Sequence, residues 1–298
     1  MPVRPTRALH RHGAFALLPL LLAAGGLTAY RADGPVRPEA AGKAPVLYVP
    51  APPERCEGLG AALPRRLRVL VWNVYKGACP GWADAFAGLA ADRDLVLLQE
   101  AWLREDAASP MGEALAARRL AWQVVVSWVD EAGQGPSTGV ATGASARPLT
   151  VTPLVSPATE PVLGTPKTAL ATTYRLAGDE RTLLVVNVHA LNVVAAETLQ
   201  LQLDQLEARL RDHRGPCLLA GDFNVWTDDK QGRLRALATR QGLAEVRFDG
   251  LAEDADARTR VFGNALDYAF CRGLAVERAS VHVTERSDHN ALLLDVTY

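Results

Sequence analysis

"LLAGDFNVWTDD", residues 218–229, opens as an apolar run and then sets Asp222 and Asn224 on either side of Phe223. A short apolar run bounded by a glycine reads as a buried strand, and an extended backbone turns successive side chains to opposite faces. Asp222 and Asn224 therefore share one side of the strand end, while Phe223 can anchor the other in the core. A carboxylate there is costly to bury unless it is paired or hydrogen-bonded. Asp228 and Asp229 read as loop residues beyond it.

The same pattern recurs outward along the chain. "RLRVLVWNVY" (66–75) carries Asn73 near its end, "DLVLLQE" (94–100) stops on Glu100, and "TLLVVNVHA" (182–190) carries His189. Further strands are expected at 121–129, from Val140, and at 167–175, 266–271, 279–284 and 291–297; the last three run beside Asp267, Asp288 and His289. Helices are expected at 82–91, 111–120, 195–213 and 232–240, the third from Leu199, Leu203, Leu206 and Leu210 at helical spacing. Strand, helix and strand precede both Glu100 and Asp222, which suggests two similar layers packed face to face over one core.

Composition narrows the classes. The chain has 298 residues, is 49% hydrophobic and has a formal net charge of −1, so it is large enough for a sizeable core. It is not the basic body that binds nucleic acid by phosphate attraction alone. Arg4, Arg7 and Arg11 precede an apolar run from Ala14 to Ala29, the order of a secretory signal or an N-terminal membrane anchor. Sixteen residues broken by Pro19 and a glycine pair are short for a spanning helix, which needs ~20. The expected layout is 1–30 as signal or anchor, 31–64 as a Pro/Ala/Gly-rich linker or arm, and 65–298 as the catalytic domain. That places the protein outside the cytoplasm, periplasmic, secreted or anchored, unless the true start lies downstream. Cleavage after Ala29 leaves 29 basic against 33 acidic residues, net −4.

Cys56, Cys79, Cys217 and Cys271 lack metal-binding spacing. Cys217 and Cys271 sit in apolar runs and read as core thiols, whereas Cys56 and Cys79 could pair in an oxidising compartment. The polar set at strand ends comprises Asn73, Glu100, His189, Asp222, Asn224, Asp267, Asp288 and His289. Any one of these could be a turn or capping residue; eight together suggest a site. Oxygen donors without thiolates suit a hard cation, Mg²⁺ or Mn²⁺. A histidine beside a carboxylate suits a general base near neutral pH. The chemistry that fits is metal-assisted attack of water on a phosphate ester.

"VWNV", "LLQE", "NVHALN", "AGDFN", "LDYAF" and "SDHNALL" occur in that order across residues 66–298. This series resembles the endonuclease/exonuclease/phosphatase superfamily. "RVLVWNVYK", "STGVAT", "KTALATTY" and "GDFNVW" are most similar to its YafD-like bacterial branch. The resemblance implies a four-layered α/β sandwich, two packed mixed β-sheets flanked by helices, with the site at one edge. It also implies Mg²⁺ or Mn²⁺ held by Glu100 with Asn73 and Asp288. His289 would be the base or phosphate-orienting ring, fixed by Asp267. Asp222 would position or deprotonate water, Asn224 would hold a phosphate oxygen, and His189 would stabilise the transition state or protonate the leaving group. Asn192 would be a substrate-side neighbour. Which of Asp222 and His289 is the base stays open.

The implied partner is a phosphodiester, in nucleic acid or a phospholipid head group, met by a monomer that could join a membrane through its N-terminus. Trp226, which could stack a base or pack on a lipid, Lys167 and the Arg258/Arg260 pair are further substrate-side candidates. Two alternatives remain. "GPSTG" (135–139) matches the serine-hydrolase elbow pattern at Ser137, although that elbow needs a strand before the serine and a helix after it. The other is a non-catalytic member of the same fold that only binds a partner.

Overall fold

The computed structural model describes residues 47–48, 59–103, 110–128, 137–161, 164–248 and 256–298. Strands are numbered in chain order. One mixed sheet has seven strands, ordered Leu47–Tyr48 (β1), Ala121–Trp128 (β4), Ser137–Ala144 (β5), Leu95–Leu103 (β3), Arg66–Asn73 (β2), Ala291–Thr297 (β15) and Ala275–His282 (β14). The second has six, ordered Ala244–Glu245 (β10), Asp267–Arg272 (β13), Cys217–Asp222 (β9), Asp179–His189 (β8), Pro166–Leu176 (β7) and Thr150–Thr159 (β6). Arg260–Val261 (β11) and Asn264–Ala265 (β12) form a separate hairpin. The helices are Trp82–Leu89 (α1), Pro110–Ala116 (α2), Ala196–Arg211 (α3) and Asp228–Arg240 (α4).

Both faces of each sheet are covered, so the central strands are apolar almost throughout rather than alternating. Val69, Val71, Leu95 and Leu97 meet Val185, Leu218, Ala220 and Ala269 between the sheets. Their neighbours Leu70, Trp72 and Leu98 pack outward on Trp82, Phe86, Met111 and Leu115 of α1 and α2. On the far side, Leu199, Leu203, Leu206 and Leu210 of α3 pack on Val186 and Leu219, together with Leu234 and Leu237 of α4. The result is the expected four-layered sandwich.

Each sheet has one parallel pair, β2 with β3 and β8 with β9. Between the members of each pair the chain passes through a helix, α1 and α3 respectively. Gly221 lets β9 close onto β8: its φ is +141°, and a Cβ there would lie 2.0 Å from the Val188 carbonyl oxygen. No side chain fits beside Asp222 at that point.

Several elements differ from the sequence reading. Asp228 and Asp229 form the first turn of α4, because Thr227 caps it by accepting from the Lys230 N–H. Carboxylates suit that positive helix end. Strand β6, unread because of Pro153 and Pro157, is an edge strand paired only with β7, where a missing N–H is tolerated. Ser137 opens antiparallel strand β5 opposite Leu103, so the strand–turn–helix of a nucleophile elbow is absent and the serine-hydrolase alternative falls. The short strands β10, β11 and β12 carry too few residues for a periodic signal.

Within the 31–64 interval, Leu47–Tyr48 pairs with β4, and Leu63 is fully buried between the Arg175 carbonyl and the Ala177 N–H. The 1–30 segment and Cys56 lie outside the described residues, while Cys79, Cys217 and Cys271 are free thiols. Among the described residues, no helix is long and apolar enough to cross a membrane.

Candidate active site

Asn73, His189 and Asp222 are the last residues of β2, β8 and β9, and Asp267 is the first of β13. Register aligns His189 with Asp222 and Asp222 with Asp267, so three titratable groups stand side by side on the second sheet. Glu100 reaches them from the first sheet by a different device. A β-bulge between Leu98 and Ala101 puts Glu100 at φ +52°, which takes it out of the strand's alternation.

These side chains converge on one carboxylate oxygen. Asp222 Oδ2 accepts from Asn73 Nδ2 at 3.0 Å and from Asn224 Nδ2 at 3.4 Å. It also faces His189 Nε2 at 3.7 Å and His289 Nε2 at 3.8 Å. Asp222 Oδ1 accepts the Asn224 N–H at 3.0 Å, and Asn224, at φ +50°, gives its side-chain amide to the Ala190 carbonyl. His289 Nδ1 sits 2.9 Å from Asp267 Oδ2, which orients the ring with Nε2 toward Asp222. Glu100 Oε1 lies 4.0 Å from His189 Nε2, and Lys76 Nζ is 3.8 Å from Glu100 Oε2.

Electrostatics separates the two imidazoles. Burial disfavours charge on both rings, but at His289 the Asp267 and Asp222 carboxylates outweigh it and raise the pKa well above the usual value. At His189 burial is joined by Lys167, His289 and Lys76, and the ring is held well below it. Burial pushes the Asp222 carboxyl up to about 7, against the pull of His289 and with Asp267 adding to the rise. One imidazole thus carries a proton while the other stays neutral, as acid/base partners require. Asp288 is exposed, and its pKa is raised by desolvation, with His289 opposing and Glu100 adding to the rise.

Asn192 and Trp226 are spent mainly on each other: Trp226 Nε1 donates to Asn192 Oδ1 at 3.0 Å. The Asn192 N–H donates to Glu160 Oε1, which also lies 3.5 Å from Lys167 Nζ. Glu160, then Glu100 and Asp222, raise the Lys167 pKa against its burial, so Lys167 belongs at the flank of the acid cluster. Arg258 and Arg260 both bind Asp256, and Arg258 Nη1 also donates to the Asp267 carbonyl. Arg258 therefore braces the start of β13 rather than offering a free cation.

Four residues were missed by the sequence reading. Gln99 Nε2 donates to Asn187 Oδ1 at 2.7 Å between the sheets, and Asn187 Nδ2 reaches the Leu98 and Ala141 carbonyls. Ser287 Oγ donates to the Asn73 carbonyl at 2.7 Å and accepts the His289 N–H. Trp72 Nε1 donates to the His289 carbonyl. These bonds clamp the catalytic segments together. The only advance signal was a polar side chain inside an otherwise apolar strand, at Gln99 and Asn187.

Two packed sheets with acids, amides and imidazoles gathered at paired strand ends define the class: a layered α/β sandwich with a cluster of titratable groups at one edge. The chain belongs to the Endonuclease/Exonuclease/phosphatase family, whose model matches residues 70–289. A UPF0294 protein of Yersinia pseudotuberculosis is 40% identical over 240 residues, covering 80% of this chain and 86% of that protein. Among solved structures, an endonuclease/exonuclease/phosphatase from Beutenbergia cavernae matches with TM-score 0.60 and 22% identity, covering 78% of this chain and 72% of its own. The human Nocturnin catalytic domain with bound sulfate anion matches with TM-score 0.58 and 19% identity, covering 79% of this chain and 96% of its own. Enzymes of the family generally hydrolyse phosphoester bonds and typically use divalent metals.

The side chains here suit such an ion. Glu100 Oε2 is buried and makes no hydrogen bond among the described residues, facing only the Lys76 ammonium at 3.8 Å. Asp222, Asp267 and His289 also bring ligand atoms within 4.8 Å of one another. In that trio, however, the His289 Nδ1 to Asp267 contact is at hydrogen-bond length, which fits proton handling at least as well as coordination.

Proposed function

We propose that this protein is a metal-dependent phosphoesterase that cleaves a P–O bond by attack of water, acting on a phosphodiester. The observation that carries the reading is the convergence of two amides and two imidazoles on Asp222 Oδ2. Mg²⁺ or Mn²⁺ would be held by Glu100 with Asn73 and Asp288, which all offer hard oxygen donors. When bound, the ion supplies Lewis-acid stabilisation of charge growing on the phosphoryl oxygens.

The chain's own residues do the rest. Asp222 and His289 act as one coupled pair toward water, in which Asp222 is the member free to take the proton, and Asp267 keeps the His289 ring aimed. Asn224, fixed by the Ala190 carbonyl, can turn an amide proton to a phosphate oxygen without adding charge. His189 Nε2 faces Asp222 Oδ2 from the second sheet and, held neutral, is placed to steady the departing oxygen by a hydrogen bond. The sulfate bound in the Nocturnin catalytic domain is consistent with an oxyanion pocket in this fold.

The test is hydrolysis of bis(p-nitrophenyl) phosphate by the full chain with Mg²⁺ or Mn²⁺, with and without EDTA, beside Asp222→Asn. Activity abolished by both treatments is expected; activity that survives Asp222→Asn sinks the mechanism.

A further inference from the structure

Among the exposed large apolar residues, Val193 and Phe262 stand out because their backbones are also strained. Phe262 is 73% exposed at the tip of the β11–β12 hairpin, whose turn residues Phe262 and Gly263 have φ of +51° and +84°. Such turns favour Asn-Gly, and an aromatic ring at the first position carries a conformational cost while leaving most of its surface in water. Val193, 39% exposed, has φ +51°, where a β-branched residue is a genuine outlier. Strain kept at exposed apolar positions points to a role that asparagine could not fill.

Both residues are tied to the catalytic segments. The Phe262 ring lies 6.0 Å from Trp226, and Trp226 Nε1 is bonded to Asn192, the residue before Val193. Asn264 Nδ2 donates to the Trp226 carbonyl and to Asp228. At the hairpin base, Thr259 accepts from the Leu266 N–H, and its hydroxyl accepts from the Asn290 N–H. The apolar patch is thus anchored to the segments bearing His189, Asn224, Asp267 and His289. Beneath it, Lys230 is 2% exposed, sits 4.3 Å from the centre of the Trp226 ring, and has no hydrogen-bond acceptor among the described residues.

We infer that this rim is an interfacial surface: Val193 and Phe262, with Trp226 between them, seat in a phospholipid surface and bring a head-group phosphodiester to the Asp222 cluster. The inference rests on the phosphoesterase reading above and gives it a substrate class. An exposed apolar rim tied to the segments that carry the Asp222 cluster matches a lipid surface whose head group reaches that cluster. A nucleobase fits less well. Val193 offers no flat face, Trp226 already carries Lys230 over its ring, and Phe262 is tilted 60° to it, so the pair makes no parallel platform. The formal net charge of −1 also supplies no general pull on a nucleic-acid backbone.

The experiment uses the full chain with Mg²⁺ or Mn²⁺ and three substrates: phospholipid in unilamellar vesicles, soluble bis(p-nitrophenyl) phosphate and a single-stranded oligonucleotide. Phe262→Asn and Val193→Asn place a residue that tolerates the left-handed region, so both should fold with unchanged or higher melting temperature. In each, the ratio of vesicle to soluble-diester rate should fall about tenfold, the loss expected when one apolar side chain no longer leaves water. Quenching of tryptophan fluorescence by brominated acyl chains needs no turnover, and it reports on this domain because the first tryptophan in the chain is Trp72. It should be present in the parent protein and reduced in the double variant. An unchanged ratio with unchanged quenching overturns the inference, as does a loss confined to the oligonucleotide, which would mark a base ledge. Quenching with no hydrolysis of any substrate would overturn the phosphoesterase reading and leave the interfacial surface standing.

Discussion

The two parallel strand pairs invite comparison. β2 with β3, in the first sheet, ends on Asn73 and carries Glu100 just beyond; β8 with β9, in the second, ends on His189 and Asp222. In the second pair the register runs unbroken and Asp222 is saturated by two amides and a backbone N–H. In the first pair a bulge displaces Glu100, and one of its oxygens has no hydrogen-bond partner among the described residues. The same supersecondary unit therefore yields two chemical states. On the proposed reading, the satisfied carboxylate handles the proton, and the one that meets only the Lys76 ammonium is left for a cation.

The largest effect should come from the first pair. Glu100→Gln is expected to lower the metal-supported rate by about 10⁴-fold, since ion stabilisation is worth several kcal/mol and each 1.4 kcal/mol is about tenfold. Its Mg²⁺ titration should also move to higher concentration. Asp222→Asn should cost about 10³-fold, within the range for general acid–base groups, with the metal midpoint little moved. If Asp222→Asn shifted the metal midpoint while Glu100→Gln did not, the assignment of the two pairs would have to be exchanged.

Next in size is the joint between the pairs. Asn187→Leu leaves Gln99 Nε2 with the Leu97 carbonyl alone and takes the side-chain donor from the Leu98 and Ala141 carbonyls, so it should destabilise the fold by about 2–3 kcal/mol in urea unfolding. A change below about 0.5 kcal/mol would mean the amides do not couple the sheets.

The imidazoles should titrate with opposite sign in the metal-free protein. His289 has a raised folded-state pKa, so its contribution to stability is complete below about 6.5 and is lost as pH rises through the raised value. His189 is depressed, so its contribution is complete above about 6.5 and is lost as pH falls through the lowered value. Ring nitrogen shifts should show His289 protonated and His189 neutral at pH 7, and Asp267→Asn should lower only the His289 value. Joint titration near 6.5 would break the distinction. The smallest effect is Ser137→Ala, expected to leave hydrolysis within about twofold, because Ser137 is a strand residue at the start of β5.

What was legible in the sequence follows from which forces act locally. Apolar runs ending in acids or amides gave the central strands, and the heptad-like leucines gave α3, because both signals lie within one element. The resemblance supplied the pairing of the two sheets, which no local pattern carries. The prolines of β6 hid a strand whose edge position excuses them. Thr227 drew Asp228 and Asp229 into a helix that polarity alone assigned to a loop. At the site, the titratable residues were visible as anomalies, but their distribution was not: the bulge at Glu100 depends on β5, and Gln99 and Asn187 meet only after the sheets stack.

That last contact sets a tolerance. Sliding one sheet past the other by a single residue would move it about 3.4 Å. Such a slip would carry Glu100 out of reach of His189, which lies 4.0 Å from it and 3.7 Å from Asp222. The Gln99–Asn187 amides act as an alignment pin, set in the interior beneath the reacting groups. Loops around the mouth can then be lengthened or exchanged, and the substrate changed with them, while the catalytic spacing stays calibrated from below.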